Sequence, residues 1–267
     1  MKIVFYGAGH MASAIFTGLI ESSVLHSHDI YLTNHSSESL LKYYQEKYNV
    51  NYSYDDDDLL QGADYVFLAT KPYDFPALAD RIKGKIRPEN HLISIMAGLS
   101  IHEIKTILQT SNPIARIMPN TNAQVQHSVT GITFSDSFDD ANKEEIYNIL
   151  NSFGSALEVE EEMQHQVTAV TGSGPAFLYY VYEQYLNAAK KVGLSEKDVD
   201  EAVRHLIIGT GQMLEQSDLT MAELRENVTS KGGTTKAGLD ALRQHPIEDI
   251  FVDCLQQTLK RSKELSN

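Results

Sequence analysis

The chain has 267 residues with a hydrophobic fraction of 42%, enough to bury a full core in two domains or one large one. Its formal charge is −14, from 36 acidic against 22 basic residues, which argues against nucleic acid as a partner, because that binding rests on phosphate neutralisation. No stretch is long and apolar enough to span a membrane, the N-terminal run shows no signal-peptide pattern, and the single cysteine, Cys254, precludes an intrachain disulfide, so a cytoplasmic protein is expected.

In so acidic a chain, an anionic ligand must be held locally, by helix N-termini, by backbone N–H groups or by placed cations such as Lys71, Arg116, Lys231 and Lys236. The first element offers such a place. Ile3–Tyr6 has the pattern of a buried strand and runs at once into Gly7-Ala8-Gly9-His10-Met11-Ala12. Met11, Ala14, Ile15, Gly18 and Leu19 then trace one helical face. Strand, glycine turn and helix form the dinucleotide-binding arrangement: Gly7 permits the tight turn, Gly9 lets the backbone approach a pyrophosphate, and Ala12 takes the third small position.

A second strand, Ile30–Thr33, ends at Asn34, where an NAD enzyme usually carries an acid for the ribose 2′-hydroxyl. Its absence removes repulsion against a 2′-phosphate and leans mildly toward NADP, since no arginine stands nearby to bind the phosphate. Residues 36–48 predict a polar surface helix, and Asp55-Asp56-Asp57-Asp58 a solvated helix start; no His or Cys cluster accompanies these acids, so no metal site is expected. Further strands are predicted over residues 65–69, 91–95, 114–118, 131–134 and 156–159, with a helix over 143–150. Lys71 follows the strand at 65–69, where ligands of open parallel sheets bind; the plain alternative is a surface lysine before the helix-opening Pro72. Strands alternating with helices predict a doubly wound parallel sheet, an α/β Rossmann-type fold.

Beyond residue 160 only helical spacing remains. Leu178, Val181, Tyr182, Tyr185, Leu186 and Ala189 make one apolar stripe, and Ile247, Ile250, Phe251, Cys254 and Leu255 another. Val203, Leu206 and Ile207 begin a third. These stripes read as core, in a bundle that packs against a second subunit. Within it lies Val228-Thr229-Ser230-Lys231-Gly232-Gly233-Thr234-Thr235, running into a predicted helix from Lys236. A Gly-Gly pair at a helix start favours a bound carboxylate or phosphate; the alternative is a hydroxyl-rich capping loop.

These residues resemble the Δ1-pyrroline-5-carboxylate reductase family along the whole chain. The blocks that carry the resemblance are Gly7-Ala8-Gly9-His10-Met11, Ala69-Thr70-Lys71-Pro72, Arg116-Ile117-Met118-Pro119-Asn120-Thr121, Gly172-Ser173-Gly174-Pro175-Ala176 and the 228–235 loop, which is the most specific. The resemblance implies a Rossmann domain over residues 1–160 and an all-α substrate-binding and dimerisation domain over 161–267. It implies a homodimer, with dimers assembling into larger rings, and hydride transfer from NADPH or NADH to the C=N bond of 1-pyrroline-5-carboxylate, giving L-proline. By the same resemblance, Ser230, Gly232, Gly233, Thr234 and Thr235 hold the substrate carboxylate, the Thr235 hydroxyl meets the ring nitrogen, and Glu161 contacts substrate. Gly7, Gly9, His10 and Met11 hold pyrophosphate, Asn34 the adenosine ribose, and Lys71, Pro72, Met96 and Ala97 the nicotinamide half, with Ala69, Thr70 and Asn227 as further cofactor contacts. A threonine hydroxyl is too weak an acid to donate freely, so Thr235 is expected to orient the imine while water or the substrate supplies the proton.

Three positions depart from the family pattern: His10 stands for a common Asn or Gln, Asn122 for a proline, and Lys231 for the proline that stiffens the signature loop. Lys231 loosens that loop but brings a cation beside the expected carboxylate. Two other readings stay open on the residues alone. A β-hydroxyacid dehydrogenase shares the domain plan but wants a lysine soon after a glycine-rich stretch, whereas the first lysine after Gly172 is Lys190. A non-catalytic NADP-binding sensor would have no need of the 230–235 loop.

Overall fold

In a computed structural model, which describes residues 1–193 and 195–266, the strands are β1 (Ile3–Tyr6), β2 (Ile30–Thr33), β3 (Asn51–Tyr52), β4 (Tyr65–Leu68), β5 (His91–Ser94), β6 (Ile114–Met118), β7 (Ser128–Phe134) and β8 (Gly154–Glu158). They form one sheet in the order β3-β2-β1-β4-β5-β6-β7-β8. Helices α1 (His10–Glu21), α2 (Glu38–Tyr48), α3 (Asp56–Leu60), α4 (Phe75–Ile82), α5 (Ile101–Leu108) and α6 (Asp140–Asn151) connect them. The order of the first six strands in space is that of a doubly wound dinucleotide fold, with the switch between β1 and β4.

β1 sits at the centre because both its faces are apolar. Ile3 pairs with Ile30 on one side and Tyr65 on the other. Ile3 and Phe5 point into a core with Ile15, Phe16 and Leu19 of α1, while Val4 and Tyr6 point into the opposite core with Leu59, Phe75 and Ile104. Alternate residues thus serve alternate faces, and a strand buried on both reads as an unbroken apolar run. Phe5 stacks on Phe67 of β4 at 4.4 Å, which locks the pair that flanks the switch point.

The structure departs from the sequence reading in three places. β7 runs antiparallel to β6, so the sheet is mostly rather than wholly parallel, because apolar periodicity carries no strand direction. β3 has only two residues, too few for a pattern. Asp55 does cap α3, accepting from the amides of Asp57 and Asp58, but Asp56 is not solvated. Its side chain is 5% exposed and is held by Arg81 at 2.9 Å and by the Tyr6 hydroxyl at 3.2 Å.

By contacts within the chain there are two compact units. One compact unit comprises residues 1–175 and 257–267, and the other residues 176–256. Strands do end with β8, yet the helical turn α7 (Gln164–Val167) and the π-helical turn Thr168–Gly172 stay with the sheet. Gln164 is fully buried and its Nε2 donates to the Arg116 carbonyl and to Thr133 Oγ1. Gly131 has no room for a side chain, since a Cβ there would lie 2.7 Å from Val167 Cγ1.

Among its described residues the second unit holds helices joined by turns, and no strand. It is built from α8 (Gly174–Lys190), α9 (Glu196–Gln216), α10 (Met221–Asn227), α11 (Thr234–Leu242) and α12 (Ile247–Glu264), the first and last of which cross the boundary between units. Pro175 stands at the start of α8, as its missing N–H favours. The apolar stripes read as core are open in the single chain: Leu178 is 48%, Tyr185 55%, Leu206 52% and Ile250 62% exposed. Apolar surface on that scale marks a face made for another protein. No helix among the described residues is long and apolar enough to cross a membrane.

The turn into β8 generates a stability prediction. Gly154 has φ +153°, and a Cβ there would lie 1.9 Å from the Ser128 carbonyl oxygen. Gly154→Ala is expected to cost about 3 kcal/mol or more in urea unfolding, through backbone strain and overpacking. Wild-type stability in this variant would contradict the packing described.

Candidate active site

The cleft at the switch point begins with a close approach of two strands. Tyr6 of β1 accepts from the Ala69 amide beyond β4, and the Gly7 amide donates to the Thr33 carbonyl of β2, both at 2.9 Å. Gly7 has φ +119°, and a Cβ on it would lie 2.3 Å from the Ala69 oxygen. Only glycine fits there. The chain therefore turns sharply and starts α1 with Gly9 as N-cap, without a side-chain cap and without an acid in the first turn. The first intrahelical bond joins the Ser13 amide to the Gly9 carbonyl, so the amides of His10, Met11 and Ala12 have no acceptor within the helix.

In front of these amides lies a cleft of about 490 Å³, lined by residues that follow β1, β2 and β4. A Cβ on Gly9 would meet nothing within 4 Å, so the backbone there faces open space. Thr33 Oγ1, on the lining, is buried and has no partner. Free helix amides, an orphaned hydroxyl and open room are what a dinucleotide pyrophosphate and ribose require. The residues present fit that group.

Of the residues named from sequence, Gly7, Gly9, Asn34, Ala69, Thr70 and Lys71 line this one cleft. His10 and Pro72 are exposed and Met11 is half-buried. Asn34 is already engaged: its Oδ1 accepts from the Ser37 amide and the Tyr54 hydroxyl, and its Nδ2 donates to the Ser37 carbonyl. Its side chain shapes the turn after β2. Lys71 lies over the Tyr73 ring at 5.6 Å. Met96 is buried, its sulfur accepting from Thr70 Oγ1 at 3.6 Å, while Ala97 beside it is exposed. At Gly98, which has φ +84°, a Cβ would lie 2.9 Å from the Leu265 carbonyl, so the far end of α12 packs on this loop.

Glu161 belongs to the same unit and is part of a polar cluster at the sheet. Its Oε1 accepts from the Ile101 amide at the start of α5, at 2.7 Å, and from Arg116 Nη1 at 3.1 Å. Arg116 is 3% exposed, and its Nε has no partner. Nearby, His165 Nδ1 meets Ser262 Oγ at 2.9 Å. Burial, together with the Arg116 and Lys263 cations, holds the His165 imidazole below its usual pKa.

Asn227 and the signature loop belong to the second unit. Asn227 ends α10, and α11 begins at Thr234 with Gly233 as N-cap, again without a side-chain cap. The first intrahelical acceptor is the Gly233 carbonyl, taken by the Ala237 amide, which leaves the Thr234, Thr235 and Lys236 amides without helical partners. Gly232 has φ +76°, which favours glycine, whereas a Cβ on Gly233 would lie 2.4 Å from Ser230 Oγ, a contact that rotation of that side chain relieves. Thr235 is exposed. Lys236 is committed to Asp240, at 2.5 Å, whereas Lys231 is exposed on the loop.

Sequence reasoning missed Arg81. It lies on α4, lines the dinucleotide cleft and is fixed there by the buried Asp56. The one sequence signal was the Asp55–Asp58 run itself, an acid cluster with no stated counterion.

A family model described as pyrroline-5-carboxylate reductase dimerisation matches residues 161–265, and one described as NADP oxidoreductase, coenzyme F420-dependent, matches residues 2–98. The chain is 62% identical to pyrroline-5-carboxylate reductase of Staphylococcus aureus strain COL, over 100% of this chain and 98% of that one. It is 61% identical, with the same coverage, to that of Staphylococcus saprophyticus. Among solved structures, a pyrroline-5-carboxylate reductase of Coxiella burnetii superposes with a TM-score of 0.92 at 29% identity, covering 100% of this chain and 98% of that one. A Plasmodium falciparum pyrroline carboxylate reductase with NADP bound does so with a TM-score of 0.84 at 25% identity, with the same coverage.

The Arg116–Glu161 pair generates a prediction that needs no ligand. Arg116→Met leaves a carboxylate at the sheet without its counterion and is expected to cost about 3 kcal/mol in urea unfolding. Adding Glu161→Gln should recover part of that loss. Equal stability of Arg116→Met and wild type would show that the pair is not structural.

Proposed function

The chain belongs to the pyrroline-5-carboxylate reductase family, and from that premise we propose that it reduces the C=N bond of 1-pyrroline-5-carboxylate to L-proline, with hydride from NADPH or NADH, in the last step of proline biosynthesis. The observation that carries this reading is the conjunction of two uncapped, glycine-shaped helix N-termini in one chain. One fits a dinucleotide pyrophosphate, and the other a small carboxylate.

Bound NADPH or NADH supplies the hydride; the protein's own work is positioning and electrostatics. The amides of His10, Met11 and Ala12 take the pyrophosphate, Gly9 leaves room for it, and Thr33 Oγ1 and the Asn34 turn meet the adenosine ribose. Lys71, Pro72, Met96 and Ala97 shape the nicotinamide half, with Asn227 as a further cofactor contact. The Ser230, Gly232, Gly233, Thr234 and Thr235 backbone takes the substrate carboxylate, and the Thr235 hydroxyl orients the ring nitrogen. A hydroxyl at neutral pH positions the imine, and water or the protonated imine itself supplies the proton. Glu161, whose carboxylate is oriented by Arg116 and the Ile101 amide, borders the substrate.

Residues 161–267 form the substrate-binding and dimerisation part, and the exposed stripes of α8, α9 and α12 support pairing with a second copy, with rings of dimers as the larger assembly. The location we propose is cytoplasmic.

Lys231 makes this loop unlike the family's usual one. With Lys236 committed to Asp240, Lys231 is the cation of the loop left to meet the carboxylate. Lys231→Ala should raise the substrate KM by about 2–5-fold, the yield of an exposed ion contact, with a smaller effect on kcat. Lys231→Pro should raise KM less, since rigidity replaces charge. An unchanged KM in both variants would sink the idea.

The main test is NADPH oxidation with 1-pyrroline-5-carboxylate, repeated with NADH and with Thr235→Ala. Turnover is expected in the wild type, and a loss of about 100-fold in kcat/KM in the variant, with NADPH binding intact. A folded wild type that binds the dinucleotide but turns nothing over would instead favour a non-catalytic sensor.

A further inference from the structure

Dinucleotides with and without a 2′-phosphate differ in what they ask of the pocket beyond β2. A free ribose 2′-hydroxyl wants an accessible carboxylate, while a 2′-phosphate wants a cation and no bare acid. At the end of β2 stands Asn34, whose side chain is spent on Ser37 and Tyr54. The buried acid beside the cleft, Asp56, is not available to a ribose: Oδ1 accepts from the Tyr6 hydroxyl at 3.2 Å and Oδ2 is ion-paired with Arg81, 2.9 Å from its Nε. Its side chain is 5% exposed.

Arg81, by contrast, is 41% exposed and lines the cleft together with Thr33, Asn34 and His35 from the end of β2. Its guanidinium also lies over the Tyr6 ring, 5.8 Å from the centroid. The ion pair at Nε and the ring anchor the group at the rim of the cleft, and its two terminal nitrogens offer the planar fork that suits a phosphate. The other charged groups on the lining are Lys71, which adds to the same field, and Asp74, which is exposed to solvent on its own turn.

We propose that Arg81, anchored by Asp56 and Tyr6, is the cation that receives the 2′-phosphate of an adenine dinucleotide and gives this cleft its preference for NADPH over NADH. The assignment rests on the dinucleotide reading of the cleft. It assigns a specificity-determining role to a residue far in sequence from the glycine turn and from the end of β2.

The test is calorimetric titration of the full-length protein with NADPH, NADH, 2′,5′-ADP and 5′-AMP, for wild type, Arg81→Gln and Arg81→Lys. Wild type is expected to bind NADPH and 2′,5′-ADP more tightly than NADH and 5′-AMP. Arg81→Gln should weaken the two 2′-phosphorylated ligands about 10–100-fold, the yield of charge-assisted bonds, and change the other two less than about 2-fold. Arg81→Lys keeps the charge opposite Asp56 and loses the fork, so it should fold normally and show a smaller selective loss of about 3–10-fold. Should Arg81→Gln fail to fold with Asp56 unpaired, the lysine variant decides. Equal losses for phosphorylated and unphosphorylated ligands, no loss for either, or a wild type that binds NADH as tightly as NADPH would each overturn the assignment. A wild type that binds no dinucleotide overturns the reading of the cleft along with it.

Discussion

The rest of the first unit depends on how closely β1 and β4 approach each other at their carboxyl ends. The Tyr6 carbonyl takes the Ala69 amide, and Gly7 fits against the Ala69 oxygen only because it has no Cβ. That contact forces the chain up into α1 with its first amides exposed, and it opens the cleft exactly where the sheet changes winding direction. A larger residue at Gly7 would clash with the Ala69 carbonyl at the turn that starts α1. Fold and site are thus fixed by one steric constraint.

Around this constraint, buried charge orients groups that face the ligand space. Asp56 is sunk between α3 and α4, where its cost is offset by Arg81 and Tyr6, and the benefit is a guanidinium held at the rim of the cleft. Arg116 does the reverse at β6: the cation is buried and the carboxylate, Glu161, is partly open. In both pairs one member is buried and the other partly exposed. The two glycine-shaped helix starts add fixed dipoles that favour anions at no cost in net charge, in a chain with 36 acidic residues.

Much of this was legible in the sequence, for identifiable reasons. Strands buried on both faces, such as Ile3–Tyr6 and Ile114–Met118, announce themselves as apolar runs and were bounded to the residue. The glycines of the first turn and of the 228–235 loop were readable because backbone geometry restricts residue choice there. Strand direction was not, since β7 alternates identically in either sense. Nor was β3, which is too short to show a period. Asp56 and Arg81 were hidden because their partnership is set by the packing of α3 on α4, and a run of acids at a helix start looks solvated until the fold covers one of them. The helical stripes were seen, but a single sequence cannot say whether a stripe is covered by its own chain. Residues 161–175 look like part of the helical half, yet Gln164 and Val167 pack on the sheet.

The central claim is that this chain moves a hydride from a nicotinamide to the C=N carbon of a cyclic imino acid. The most direct measurement is isotopic: incubate the protein with 1-pyrroline-5-carboxylate and NADPH carrying deuterium at the transferable nicotinamide position, and analyse the product by mass spectrometry. The account predicts L-proline bearing the label on the former imine carbon. Unlabelled proline, or no proline from a folded protein that binds NADPH, would contradict it.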